Sequence, residues 1–516
     1  MNAHGCTCRR AFVAVTLAVV LATAVSCTSD DESAGGAEGD GEVAADEPTG
    51  PVRGEGVARP TVTGPVTGGE HDQSFNAMPE GLADRYGYVE EEFFLAGDAT
   101  AYASEGELSE DGRWTVAAAG TAPYTTRVIV RRPAEADDFD GAVFVEWFNV
   151  TAGLDGDPDF GLTHAELMAH GSAYVGVSAQ QIGVEGGEAL LPVEIPGMPE
   201  VQALKQWDPE RYGELSHPGD PYSYDIYSQA AQAVRRPDGV DLMDGLTVRH
   251  VVAMGESQSA ARLVTYVNAV HPVADIYDGF LIHSRGGGGS PLGEGGGSPI
   301  GDGVTRIRDD VGVPVLQYET ETDLFGVLGF HAARQPDSDT LRTWEVAGTA
   351  HADRAILDYN AELASDVAGG GFDLADMCGS INEGDQGLVL RAAVAALRTW
   401  VVDGEPPPEA PPLEVAGGAI ARDRRGIARG GIRTPAVDAP VSVLTGDAPP
   451  GRSVICLLFG DTRPFDAATL ADLYPTHQDY VDAVTESVDA AVEAGFLLEA
   501  DAEAVVAAAE DAAVPE

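Results

Sequence analysis

Short apolar runs, rich in β-branched and aromatic side chains, recur along the chain from about residue 110. Arg127–Arg131, Ala142–Trp147, Ala173–Val177, His250–Met254, Gly279–His283, Val313–Tyr318 and Leu341–Val346 read as strands. Most are nearly continuous in their apolar character, the pattern of strands covered on both faces. Leu162–His170, Tyr224–Val234 and Ser259–Val270 lie between them with apolar residues at helical spacing, and Gly387–Val402 follows later. Strand and helix in alternation predict an α/β fold, a mostly parallel sheet with helices on both faces.

Breaks in this rhythm divide the chain. Residues 28–58 are mostly Gly, Ala, Glu and Asp, too poor in apolar surface to offset ordering entropy, and predict a disordered acidic tether. The core then spans 59–405. Within it, residues 183–221 carry several prolines and glycines between a strand and a helix, which predicts a cap insertion over the active site. The Gly-rich stretch 285–303 lacks the Gly-Lys-Ser/Thr of a phosphate loop and predicts a flexible loop. Pro406–Pro412 marks a boundary. Residues 406–516 form a C-terminal extension packed on the core, with a strand at Ser453–Phe459 and two acidic Ala-rich helices ending near Ala513. No internal repeat is found.

Charge narrows the function. Acidic residues number 84 and basic ones 30, a net charge of −54, and Lys205 is the single lysine. Such a surface repels nucleic acid and anionic membranes and suits solution at high salt. The first 27 residues read as an export signal: Arg9-Arg10 precede an apolar run from Ala11 to Val25 that is short for a transmembrane helix. Ala24-Val25-Ser26-Cys27 resembles a lipobox, which makes Cys27 a lipidation site and the N-terminal lipid the one membrane contact. Cys8-Arg9-Arg10-Ala11-Phe12-Val13 also partly resembles a twin-arginine signal, and a plain cleaved signal is the third reading. All three place the protein outside the cytoplasm, lipid-anchored or secreted. In that oxidising compartment Cys378 and Cys456 are the remaining pair, either a disulfide or two buried thiols.

The candidate chemistry centres on Gly255-Glu256-Ser257-Gln258-Ser259, set between a buried-strand pattern and an Ala-rich helix pattern. That is a nucleophile elbow, a sharp turn that needs small residues two places either side of the serine. Ser259 stands where glycine is usual. Activation of Ser257 requires a base, and the order Ser, acid, His points to His351 in Gly348-Thr349-Ala350-His351. Strand Val313–Tyr318 delivers Glu319-Thr320-Glu321-Thr322-Asp323; Asp323 is the preferred acid and Glu321 the alternative. The oxyanion donors expected are the backbone amide of Gln258 and an amide of the loop Phe148–Gly153, with Asn149 as the candidate. His283, at a strand end, is placed to line the pocket. Arg422, Arg424, Arg425, Arg429 and Arg433 either bind a substrate carboxylate or pair with nearby acids. No His-Glu-x-x-His or Cys-x-x-Cys suggests a metal, and no cofactor is implied.

With those residues in place, the chain resembles a secreted bacterial α/β-hydrolase domain family of serine esterases over roughly residues 75–510. The resemblance rests on Val145-Glu146-Trp147-Phe148-Asn149-Val150, Asp208-Pro209-Glu210-Arg211-Tyr212-Gly213, His217-Pro218-Gly219-Asp220, Tyr224-Asp225-Ile226, the elbow, Thr320-Glu321-Thr322-Asp323 and Arg433-Thr434-Pro435. It implies the α/β-hydrolase fold and a serine hydrolase mechanism and says little about substrate; hydrolysis of a small-molecule carboxylic ester is the first reading. A peptidase or acyltransferase on the same triad, and a non-catalytic lipid-anchored binding protein, are the rival readings.

Overall fold

The computed structural model describes residues 53–190, 202–293, 301, 303–368 and 377–515, with the side chains of 364–368 left aside. The export signal, Cys27 and most of the expected tether lie outside the described residues. The expected tether boundary moves, however. From Arg53 onward the chain is docked: Arg53 pairs with Asp275 and Asp278, and Val57 joins the core. One buried valine and an arginine between two acids suffice to hold this short segment.

Ten strands form one mixed sheet. They are β1 (Thr61–Thr63), β2 (Tyr88–Ser104), β3 (Val116–Pro133), β4 (Ala142–Trp147), β5 (Ala173–Val177), β6 (Asp238–Gly239), β7 (His250–Glu256), β8 (Gly279–His283), β9 (Val315–Glu319) and β10 (Leu341–Glu345). Their order is β10-β9-β8-β7-β4-β5-β3-β2-β1-β6. From β10 through β5 all neighbours run parallel, while β3 joins β5 antiparallel and forms a long hairpin with β2. All seven predicted strands of the sheet are present. β4 illustrates why they read as continuous apolar runs. Val143 and Val145 pack into one core with Ile226, Tyr227 and Leu263, while Ala142 and Phe144 pack into the other with Phe160, Leu390 and Leu397. A strand buried on both faces has no polar side to alternate with. Helices Ser223–Arg235 and Gln258–Thr265 cover the first face, and Pro158–Ala169 and Gln386–Asp403 the second.

Strands β1 and β2 are absent from the sequence reading, and only the end of β3 is in it. The reason is charge inside the sheet. Glu90 and Glu92 of β2 pair with Arg131 and Arg127 of β3 at 2.8 and 3.0 Å, and both arginines are fully buried. Buried ion pairs mimic a solvent-facing strand when read as a string of letters.

Two further expectations change. Ser453–Phe459 is not a strand but a turn and the 3-10 helix Ile455–Leu458, drawn tight by the Cys456–Cys378 disulfide and a small cluster with Ile381 and Phe459. The strands of this region are Ser442–Thr445 and Asp461–Pro464, paired antiparallel. The described part of the Gly-rich stretch is not a flexible loop. Residues 286–290 are mostly buried, Gly287 N donates to Leu328 O at 2.8 Å and Ser290 N to Ala261 O at 2.9 Å. A Cβ on Gly289 would stand 2.8 Å from Thr265 Oγ1, so the glycine permits close packing rather than motion. Residues 294–300 and 302 lie outside the described residues.

The C-terminal extension contacts the core through Ile432, whose amide donates to Glu345 O at 2.7 Å, and through Arg391–Asp501 at 2.8 Å. Its last two helices are His477–Glu493 and Glu499–Asp511. Among the described residues no helix is long and apolar enough to cross a membrane.

Candidate active site

β7 ends at Glu256 and the next helix begins at Gln258, leaving Ser257 at φ 59°, ψ −112° between them. This backbone conformation is unfavourable for a side-chain-bearing residue and is held by its surroundings. Ser257 N donates to His283 O of neighbouring β8 at 2.9 Å, and Ser257 O accepts from Ala261 N at 3.0 Å. A Cβ on Gly255 would come within 3.0 Å of Ser259 Cβ and 3.2 Å of Leu263 Cδ1. The elbow therefore needs glycine before the serine, and the buried Ser259 is small enough to stand after it.

Parallel strands bring the other groups alongside. β9 leads into a single helical turn, Glu321–Leu324, with Thr320 as its cap: Thr320 N and Oγ1 both donate to Asp323 Oδ2, at 2.6 and 2.7 Å. Beyond β10, the loop carries His351. His351 Nδ1 lies 2.7 Å from Asp323 Oδ1, and Nε2 lies 2.8 Å from Ser257 Oγ. An ionised carboxylate only accepts, so Nδ1 carries the proton and Nε2 of the neutral ring offers its lone pair to the serine hydroxyl.

Glu321 is engaged elsewhere. Its carboxylate accepts from Gly348 N at 2.6 Å, Gly446 N at 3.1 Å and Arg422 Nη2 at 2.8 Å. It ties the histidine loop to the C-terminal extension. This also answers the arginine cluster in part: Arg422 pairs with Glu321 and Asp447, Arg433 with Asp438 at 2.6 Å, and Arg429 with Glu414 at 3.7 Å.

The two expected oxyanion donors fare differently. Gln258 sits at the first helical position, where an amide has no carbonyl partner within the helix. Asn149 does not offer its backbone amide, which donates to Gly156 O at 2.9 Å in an isolated bridge. Its side-chain amide donates to Glu256 Oε2 at 2.8 Å and Oδ1 accepts from Thr151 N. The amides of Val150 and Ala152 are the remaining donors of that turn.

Glu256 is the group that sequence reasoning missed. Its signal was present, an acid next to the nucleophile in an otherwise apolar strand. Glu256 Oε1 lies 3.1 Å from His351 Nε2, on the same nitrogen that faces Ser257. Burial raises its carboxyl pKa to about 7; His351 and His283 oppose that rise, while Asp159 and Asp323 add to it. For His351, burial lowers the pKa, but Glu256 and Asp323 outweigh it and the net shift is upward. Ionised Glu256 thus favours the imidazolium. Glu256→Gln removes that charge, so neutral His351 persists to lower pH and the acid limb of the kcat/KM profile moves to lower pH. A profile that stays in place, measured on a folded variant, refutes this.

A cavity of about 430 Å³ opens over these groups, lined by Ser257, His351, Glu256 and His283 among others. His283 is fully buried, with Nδ1 2.7 Å from Asp159 Oδ1. The described residues of 183–190 and 202–221 do not line the cavity, contrary to the expected cap; they pack around Phe75, Trp207 and Tyr212, fastened by Arg211 and Tyr212 to buried Glu92. Residues 191–201 lie outside the described residues. The wall comes instead from helix Arg354–Ala368 and the Ile455–Phe459 turn, which the disulfide holds. Among the described residues no cluster of His, Cys, Asp and Glu is arranged to hold a metal ion.

Parallel strands, a strained serine at a strand–helix elbow, and an acid and a histidine after the next strands define an α/β-hydrolase fold. The chain belongs to the alpha/beta hydrolase domain family, whose model matches residues 62–507. Comparison with curated proteins finds no match. Among solved structures, esterase Est22 aligns at 12% identity and TM-score 0.26, covering 56% of this chain and 78% of that one. A glucuronoyl esterase from Solibacter usitatus aligns at 10% identity and TM-score 0.27, covering 56% and 83%. One of two fungal esterases from Rhizomucor miehei aligns at 11% and 0.26, covering 56% and 84%. The family match carries the assignment.

Proposed function

We propose that this protein is an exported serine hydrolase that cleaves carboxylic esters through Ser257, His351 and Asp323 and an acyl-enzyme intermediate. One observation carries the reading: Ser257 Oγ, His351 and Asp323 form a continuous hydrogen-bond chain, at 2.8 and 2.7 Å, in the wall of a cavity. Ser257 Oγ attacks the acyl carbon as its proton passes to His351 Nε2. Asp323 holds the Nδ1–H and stabilises the imidazolium. The amide of Gln258 and one amide of the Val150–Ala152 turn receive the oxyanion, each donor worth about 3 kcal/mol. His351 returns the proton to the leaving alkoxide and then takes one from water, whose oxygen attacks the acyl-enzyme; as the acyl–Oγ bond breaks, His351 passes that proton to Ser257 Oγ and the acid is released.

The test is covalent. A fluorophosphonate probe labels Ser257, mapped by peptide mass, and short p-nitrophenyl esters are turned over. An unlabelled Ser257 in folded protein returns the chain to the class of binding proteins.

The localisation proposed is the outer face of the cell membrane, with Cys27 lipidated. A single acyl chain binds weakly, so the anchor requires more than one. Cys27→Ser releases the protein into the soluble fraction with its activity intact. Wild-type protein found wholly in the medium refutes the anchor.

A further inference from the structure

We infer that the cavity selects neutral esters with an apolar acyl or alcohol group and rejects esters that carry a carboxylate. This rests on the hydrolase reading above and adds the substrate class to it.

The lining divides by chemistry. Ile356, Leu357 and Leu363 of helix Arg354–Ala368 face into the cavity together with Ile455, Leu458 and Phe459. They make a largely apolar wall, interrupted by Asn360, and a volume of about 430 Å³ is that of a small-molecule site. Three carboxylates, Asp155, Asp157 and Glu256, also line the cavity. Among the described residues, no lysine or arginine lines the cavity.

The guanidiniums behind two of those acids are already committed. Arg127 lies between Glu92 and Asp155, at 3.0 and 3.2 Å, and Arg131 between Glu90 and Asp157, at 2.8 and 2.7 Å. Both are fully buried behind those acids. The two lining histidines are likewise taken, His283 by Asp159 and His351 by Asp323. A substrate anion therefore meets the Glu256 carboxylate, and the described lining offers it no lysine or arginine as a counter-charge. Two such charges held roughly 6 Å apart at an effective dielectric near 20 cost about a hundredfold in binding.

The experiment compares two substrates of equal chain length on the purified full chain at pH 8. They are p-nitrophenyl hexanoate and mono-p-nitrophenyl adipate, which differ by a terminal carboxylate. The expected result is a kcat/KM about a hundredfold higher for the hexanoate. Half-buried Ile455 offers a converse test. Ile455→Lys brings the adipate ester to within about tenfold of the hexanoate, and Ile455→Met keeps the wild-type preference. Adipate turnover within threefold of hexanoate by wild-type protein overturns the inference and leaves the hydrolase reading standing. Ser257 labelling without hexanoate cleavage also overturns it. Failure of both the labelling and all ester cleavage overturns the hydrolase reading itself.

Discussion

Ser257→Ala abolishes hydrolysis of p-nitrophenyl esters and all labelling by fluorophosphonates, with a loss of about 10⁴-fold or more. The substitution removes one oxygen and leaves the elbow intact. The backbone bonds of Ser257, to His283 O and from Ala261 N, do not involve the side chain. Alanine adopts the strained φ of 59° no less readily than serine does. The variant therefore unfolds with the wild type, and its inactivity reports chemistry rather than collapse. Retained activity in a clean preparation removes Ser257 from the mechanism.

Asp323→Asn and Glu321→Gln separate two acids that lie two residues apart. Asparagine at 323 cannot stabilise the imidazolium, and its amide group can present a donor to Nδ1 and fix the wrong tautomer. The expected cost is about 10⁴ in kcat, with modest change in KM. Glu321→Gln strikes elsewhere. The carboxylate accepts from two backbone amides and from Arg422, all away from Ser257. Arg422 keeps Asp447 as a partner, so the loss is that of weakened hydrogen bonds at a buried group, about 1–3 kcal/mol of stability. The two kinetic and unfolding experiments, run in parallel, give opposite patterns. A crippled but fully stable Glu321→Gln enzyme moves the acid to Glu321.

The parts of the site that the sequence made legible are those in which chemistry and element boundary coincide. The elbow lies where a strand pattern turns into a helix pattern, and both remaining groups lie just past strand ends. Parallel strands carry such positions to one edge, which is why Ser257, His351 and Asp323 meet. The choice between Asp323 and Glu321 was weaker in sequence, because it depends on Arg422, about a hundred residues away. Glu256 was hidden by the opposite circumstance, since its partner nitrogen is reached only after folding. Asn149 misled because its backbone bridge to Gly156 leaves no trace in the letters. The wall of the cavity came from helix Arg354–Ala368 and the Ile455–Phe459 turn of the extension rather than from the described residues of 183–221, and tertiary contacts of that range have no local signature.

On the export proposed above, the bond between Cys378 and Cys456 assigns the catalytic groups and the shape of the cavity to different stages in the life of the molecule. Ser257, Asp323 and His351 follow β7, β9 and β10, none of which carries the sulfur bridge, and the turn it fastens reaches them through Ala352, whose amide donates to Leu458 O at 3.0 Å. The turn that walls the cavity is fastened by it. On that export, a newly made chain in a reducing cell interior holds Ser257 in an unfinished mould, and oxidation outside completes it. Counting active sites with a small probe treats both forms as the same protein; only a substrate large enough to lean on the wall tells the finished one from the unfinished.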